Sequence, residues 1–204
     1  MGGIANITAI PAGGTSGSVV AFDTGPGNMV IDALVQIQSD GRIKFDKSGR
    51  LAARGHVNEK LLSTLLRASY FRQSPPKTAG REQYGREFVS ELLATRTPIM
   101  DLVATATVFT ASSIAFGIGK YVSFMPDELI ISGGGAHNRT LLAYLQAFLP
   151  TVRLRSSNEF GIDGDAKEAI AFAILAYETW NRRPSNLPSA TGAGRPVVLG
   201  KVSF

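Results

Sequence analysis

The 204-residue sequence contains no cysteine. Disulfides, thiolate metal sites and cysteine nucleophiles are therefore excluded. Histidine is nearly as scarce: only His56 and His137 are present, too few for a histidine-based metal cluster, and no residue is assigned to a metal. Charged residues make up 18% of the chain, and no basic run exists. The 21 Lys plus Arg against 16 Asp plus Glu give +5, with Arg81, Arg86, Arg153 and Arg155 standing apart. That pattern suits a mildly basic surface or an affinity for small anions, and argues against a nucleic-acid partner. Long unbroken apolar runs are missing too. Leu102 to Ile118 is interrupted by Thr105, Thr107, Thr110, Ser112 and Ser113, and reads as a buried core helix with no membrane partner. The start lacks the charged-then-apolar plan of a signal peptide, and Asn6 stands where myristoylation requires Ser or Thr. A cytoplasmic protein is expected.

What is present is a hydrophobic content of 44%, enough for a substantial core. Ile4 to Ile10 and Ser18 to Phe22 are strand-like and flank the turn cluster 11–17, which predicts a hairpin. Asp23-Thr24-Gly25-Pro26-Gly27-Asn28 is expected to end the second strand, with Asn28 capping a helix from Met29 to Ile37. Residues 38–57 read as a polar surface excursion, and Asn58 opens a helix over Glu59 to Leu66. Pro75-Pro76 forces extended backbone before helices at about Gln83 to Ala94 and Ile99 to Tyr121. A strand at Glu128 to Ser132, a helix at Arg139 to Phe148, a strand at Val152 to Leu154 and an apolar helix at Asp165 to Trp180 follow. Strands alternating with helices after a hairpin give one α/β domain over residues 1–204, with a mixed sheet flanked by helices. Within it, about 38–98 form a helical and irregular insertion and 183–204 a Pro/Gly-rich tail.

Three glycine-rich junctions sit where strands hand over to turns or helices: Gly2-Gly3, Gly25 with Gly27, and Gly133-Gly134-Gly135. Glycine there lets backbone amides approach an anion, and a following helix N-terminus adds favourable dipole charge. Neither a Walker A sequence nor the G-x-G-x-x-G spacing is present. Asp23, at the end of the second strand, has two readings: a fixed carboxylate acting as general base beside a phosphate cradle, or a turn cap bonded to the backbone two residues on. Asp32 shares a helix face with Asn28, which favours a structural hydrogen-bonding role. His137 suits a solvated loop residue or a helix cap. Glu168, three residues after Asp165, fits either a capping box or a carboxylate at a cleft mouth that holds sugar hydroxyls.

The segments Gly2 to Thr8, Phe22 to Asn28, Pro75 to Glu82, Ser132 to Asn138, Gly164 to Ala169 and Arg195 to Gly200 together resemble the anhydro-N-acetylmuramic acid kinase family, in the family's own order and across the whole chain. The resemblance implies a ribonuclease H-like lobe of the superfamily that includes hexokinase, actin and Hsp70, with ATP in a cleft between two lobes. It implies ATP and Mg²⁺ as cofactors and an anhydro sugar as the small-molecule partner, in cell-wall sugar recycling. In the implied reaction, water opens the 1,6-anhydro bridge at C1 while O6 accepts the γ-phosphoryl group, giving N-acetylmuramic acid 6-phosphate. Asp23 is then the base that takes the proton from water, and Glu168 contacts the sugar. Gly133, Gly134 and Gly135 border the nucleotide and Gly2 and Gly3 its phosphates, and Asn6, Gly25, Gly27, Asn28 and Asn138 are assigned to ATP binding with them. The family's dimers make a homodimer an expectation as well.

The family's second phosphate loop, Gly-Thr-Ser-x-Asp-Gly, has no counterpart here, since Gly14-Thr15-Ser16-Gly17 lies in the hairpin and lacks the Asp. The chain is therefore expected to correspond to the C-terminal portion, with the N-terminal lobe missing, and to be inactive by itself. Two other readings stand: a levoglucosan kinase-like enzyme, whose sugar lacks the lactyl and acetamido groups, and a non-catalytic nucleotide-binding remnant.

Overall fold

A computed structural model describes residues 1–164 and 166–203. The elements in chain order are β1 (Ile4–Ala9), β2 (Val20–Pro26), α1 (Asn28–Gln38), α2 (Glu59–Leu66), α3 (Arg81–Tyr84), α4 (Arg86–Ala94), α5 (Ile99–Tyr121), β3 (Glu128–Ile131), α6 (Arg139–Phe148), β4 (Arg153–Ser156), α7 (Lys167–Trp180) and α8 (Pro188–Thr191). The α/β class read from the sequence holds. The single mixed sheet does not: β1 and β2 form an antiparallel pair, and β3 and β4 a separate parallel pair. A ladder needs strands about 4.8 Å apart. Between the free edges of β1 and β3 lies a cavity of about 320 Å³, lined by Phe124 and Pro126 and floored by Ile114 and Ile118. The two pairs are joined instead at Met1, whose amino group donates to the Ser132 carbonyl and whose carbonyl accepts from Gly135 N at 3.0 Å.

Helix α5 organises the packing. It is long and apolar enough to cross a membrane by length and composition, yet most of it is buried inside the protein. One face joins α1, Tyr70, Phe71, Tyr84 and α4 in one apolar cluster around Phe109, and its C-terminal half meets β1, β2, β3 and α6 in a second. Three of the hydroxyls that interrupt its apolar run, those of Thr105, Thr107 and Ser113, bond back along the helix at little cost. Thr107 Oγ1 donates to Val103 O at 2.8 Å, and Ser113 Oγ to Thr110 O at 2.9 Å. Thr110 Oγ1 reaches out of the helix instead, to Gly27 O at 3.1 Å, and so ties α5 to the glycine junction.

Local signals behaved as capping chemistry requires at Asn58 and Asn138, whose side chains accept from Leu61 N and Leu141 N at the starts of α2 and α6. Residues 38–57 are not a plain surface excursion. Asp46 is buried, and its two carboxylate oxygens accept from Leu51 N at 2.8 Å and Ala52 N at 2.9 Å, which folds the segment back onto the core. The helix expected from Gln83 divides at Gly85 into α3 and α4. Asp165, expected as the cap of α7, lies outside the described residues. The α7 N-cap position is taken by Ala166, and a capping box is found earlier, between Ser156 and Glu159. No residue of α7 whose burial is described is buried, and Phe172, Ile174, Tyr177 and Trp180 stand exposed.

Candidate functional site

Strand β2 does not stop at Asp23, as the sequence suggested, but pairs with β1 as far as Pro26. A bulge makes this possible. Ala5 faces Gly25 and Asn6 faces Asp23, so Thr24 is the extra residue; it is buried, and its Oγ1 donates to Ala5 O at 3.2 Å. A bulge re-aims the side chains beside it, and here it sets Asp23 opposite Asn6. Gly25, at φ +145°, supplies a backbone angle that side chains rarely adopt.

The main chain and side chain of Asp23 are held by one segment, residues 70–79. Asp23 N donates to Lys77 O at 3.1 Å, Tyr70 Oη donates to Asp23 O at 2.5 Å, and Ala79 N donates to Asp23 Oδ2 at 2.8 Å. Oδ1 has no hydrogen-bond partner among the described residues. The bond to Ala79 stands where the turn-cap reading placed the backbone two residues on. Asp23 lines a cavity of about 360 Å³ with Asn6, Thr8, Lys77, Thr78 and Thr191. Thr191 comes from α8, so part of the tail lines this cavity; Ser189 Oγ anchors it by donating to Ser16 O at 2.8 Å. Burial raises the proton affinity of the Tyr70 phenol, with the Asp23 charge adding to it.

The three glycine junctions converge at Met1 and Asn28. A Cβ on Gly135 would lie 2.7 Å from Met1 Cβ, one on Gly133 2.9 Å from Met1 O, and one on Gly134 3.2 Å from Asn28 Nδ2. The amides at the start of α1 are already engaged there. Asn28 N donates to Gly2 O at 2.8 Å, and Gly27 N and Met29 N donate to Gly3 O at 2.9 and 3.1 Å. Gly27, not Asn28, is therefore the N-cap residue of α1. A Cβ on Gly27 would stand 2.3 Å from Gly2 O and 3.0 Å from Ile4 C, both main chain. Gly27→Ala is expected to destabilise the fold by about 2–3 kcal/mol, because overpacking against backbone is relieved only by moving β1; a urea midpoint equal to the parent's would contradict this.

Beside the convergence lies a second cavity, of about 530 Å³, lined by Asn28, Asp32, Phe45, Ser48, Gly134, His137 and Asn138. The amide carbonyl of Asn138 is committed to capping α6, by accepting from Leu141 N at 3.0 Å. Asp32 makes no hydrogen bond among the described residues. Burial, and secondarily the charge of Asp46, push its carboxyl up from 3.8 to about 6. Because the folded value lies above the unfolded one, the native state holds the extra proton at pH 4–6 and loses that advantage above it. Stability from this group is full below about pH 4 and declines as pH rises towards about 6, by roughly 1–3 kcal/mol after allowance for its partial exposure. Asp32→Asn should therefore raise the urea midpoint at pH 7 and flatten the profile across that window. A profile identical to the parent's would rule this out.

Glu168, exposed in the first turn of α7, acts electrostatically on the Met1 amino group and so lies on the glycine side. It does not line the Asp23 cavity. The structure thus gathers Gly2, Gly3, Gly27, Asn28 and Gly133 to Gly135 at one locus, with Glu168 near it, and Asp23 with Asn6 at another. Tyr70 and Ala79, which hold Asp23, were not read as site residues. Ala79 contributes only its main chain, and Tyr70 lies outside the Pro75 to Glu82 motif, so neither carried a recognisable signal.

A family model described as anhydro-N-acetylmuramic acid kinase matches residues 1–204. Among curated proteins, the anhydro-N-acetylmuramic acid kinase of Caldanaerobacter subterraneus subsp. tengcongensis is 46% identical over 210 residues, which cover 100% of this chain and 53% of that protein. Those of Salinibacter ruber and Clostridioides difficile are 45% and 42% identical, with 52% and 54% of their lengths covered. The chain spans about half the length of the curated relatives it matches.

Proposed function

Because the chain belongs to the anhydro-N-acetylmuramic acid kinase family, we propose that it contributes a ribonuclease H-like lobe to an ATP-dependent kinase of 1,6-anhydro-N-acetylmuramic acid. The observation that carries this reading is the state of Asp23: one carboxylate oxygen is fixed by Ala79 N and the other has no hydrogen-bond partner among the described residues, in a residue that lines a cavity. A carboxylate anchored through one oxygen keeps a defined direction for the other, which is what a general base requires. Asp23 takes one proton from water as the water oxygen bonds to C1. The C1–O6 bond breaks, O6 bonds to the γ-phosphorus, and the phosphorus–oxygen bond to ADP breaks.

The nucleotide is assigned to the glycine locus, and the cavity of about 530 Å³ that Gly134 and Asn138 line supports that reading. Mg²⁺ supplies charge neutralisation at the phosphates when bound. Among the described residues no group of three or more His, Asp or Glu is suited to hold a metal, so its oxygen ligands would come chiefly from phosphate and water. Glu168 stands near the Met1 end of the glycine locus and is assigned to the sugar through the family motif alone.

The test is incubation of a two-lobed enzyme that carries this chain as its C-terminal portion with ATP, Mg²⁺ and 1,6-anhydro-N-acetylmuramic acid. It is read by phosphorus NMR and mass spectrometry, with the chain alone as an arm expected to give no product. The expected product is N-acetylmuramic acid 6-phosphate carrying one oxygen from labelled water at C1. Phosphorylated sugar without that label would sink the role given to Asp23. Levoglucosan in a parallel arm reports whether the lactyl and acetamido groups matter.

A further inference from the structure

Asp23 is held by groups whose own positions depend on a buried cation. Lys77 is 8% exposed, and no carboxylate lies within ion-pairing distance of it among the described residues. Its ammonium donates to Tyr70 O at 3.3 Å and lies 4.6 Å from the centre of the Tyr70 ring and 4.5 Å from that of Tyr121. The adjoining Phe71 carbonyl accepts from Lys120 Nζ at 3.3 Å and from Tyr121 Oη at 2.8 Å. Three polar groups, Lys77 Nζ, Lys120 Nζ and Tyr121 Oη, therefore fix residues 70–71, and the Tyr70 phenol passes that fixation to Asp23 O.

Burying an ammonium without a counter-ion is costly, and facing aromatic rings offset it only in part. An apolar side chain of similar length would fill the same slot without that cost, so packing alone does not account for Lys77. What the ammonium adds is direction: it fixes the Tyr70 carbonyl and ring, and through the phenol the strand at Asp23. The backbone carbonyl of the same lysine accepts from Asp23 N, and two residues on, Ala79 N donates to the carboxylate.

We infer that Tyr70 and Lys77 are positioning residues for Asp23, keeping its carboxylate seated on Ala79 N so that the other oxygen keeps its direction. The inference deepens the proposed function, on which its bearing on turnover rests, whereas its structural part does not depend on activity. Tyr70→Phe removes only the hydroxyl that bonds Asp23 O, and Lys77→Met keeps the stem between the rings and removes the charge.

The experiment is amide NMR of the full chain with both variants and Asp23→Ala as reference, together with the turnover assay of the two-lobed enzyme that carries each. In both variants the Ala79 amide proton is expected to move towards its position in Asp23→Ala and to exchange at least tenfold faster, while the Leu34 and Val103 amides keep their parent rates. In the turnover assay kcat should fall at least tenfold, with KM for ATP and sugar within twofold. If Lys77→Met fails to fold, Tyr70→Phe carries the test alone. An Ala79 amide unchanged in the folded variants overturns the positioning role, whatever happens to turnover. An Ala79 amide that loosens while kcat stays at the parent value upholds the positioning and overturns the use of Asp23 as base.

Discussion

Replacing Phe109 with alanine is expected to lower the free energy of unfolding by about 3–5 kcal/mol, the range for removing a fully buried aromatic ring. Phe109 is 1% exposed and lies in the middle of α5. Its ring meets Phe71 and Tyr84 edge-on at 5.6 and 6.4 Å and stacks on Phe88 at 6.3 Å. Those partners come from the segment after α2 and from α3 and α4, so one ring joins three parts of the chain to the central helix. Neighbours from several elements cannot all collapse into the space left behind, which places the change towards the upper end of the range. Phe109→Leu, which keeps most of the volume, should cost much less. Urea denaturation followed by circular dichroism measures both. A loss under about 1 kcal/mol for the alanine variant would mean that the aromatic cluster closes up without help from α5.

In a two-lobed enzyme that carries this chain, Asp23→Asn is expected to lower kcat about 10²- to 10⁴-fold, the range that general-base removal spans. The amide is the informative replacement. Its oxygen can still accept from Ala79 N, so the 70–79 segment stays in place. Asp23 N and O also keep their bonds to Lys77 O and Tyr70 Oη, which involve only the main chain of residue 23. Only the capacity to take a proton is lost. KM for both substrates and the thermal midpoint should therefore remain close to the parent's. A kcat within tenfold of the parent would remove Asp23 from the chemistry. A large rise in KM alone would make it a binding group instead.

Much of the fold was legible because its signals are local. Asn58 and the apolar periodicity after it gave α2, and the limits of α5 and α6 coincide with those read from the residues. The boundary at β2 was misread because Asp-Thr-Gly-Pro-Gly carries the composition of a turn. It stays in the strand because a bulge at Thr24 absorbs the irregular residue and β1 supplies the partner. That partner lies some twenty residues away, beyond any local window. The same holds for the cap of α1. Asn28 is a favoured capping residue, but the carbonyls of Gly2 and Gly3 reach the amides first. The capping box was sought at 165–168 and found at 156–159, where Ser156 and Glu159 have the required spacing. Pattern could have found it.

The sequence by itself determined the α/β class, most of the helices, the exclusion of cysteine chemistry, and the family, through glycine and acidic motifs that recur in a fixed order. Those properties are written in composition and in spacings of a few residues. Tertiary structure alone decided that three glycine junctions meet at Met1 and Asn28, that α8 lines the cavity beside Asp23, and that a lysine with no counter-charge among the described residues stands behind it. The reason is distance along the chain. Tyr70 and Asp23 are 47 residues apart and Ala79 and Asp23 are 56 apart, so what orients the carboxylate is set by how the core packs and leaves no trace in the residues next to it.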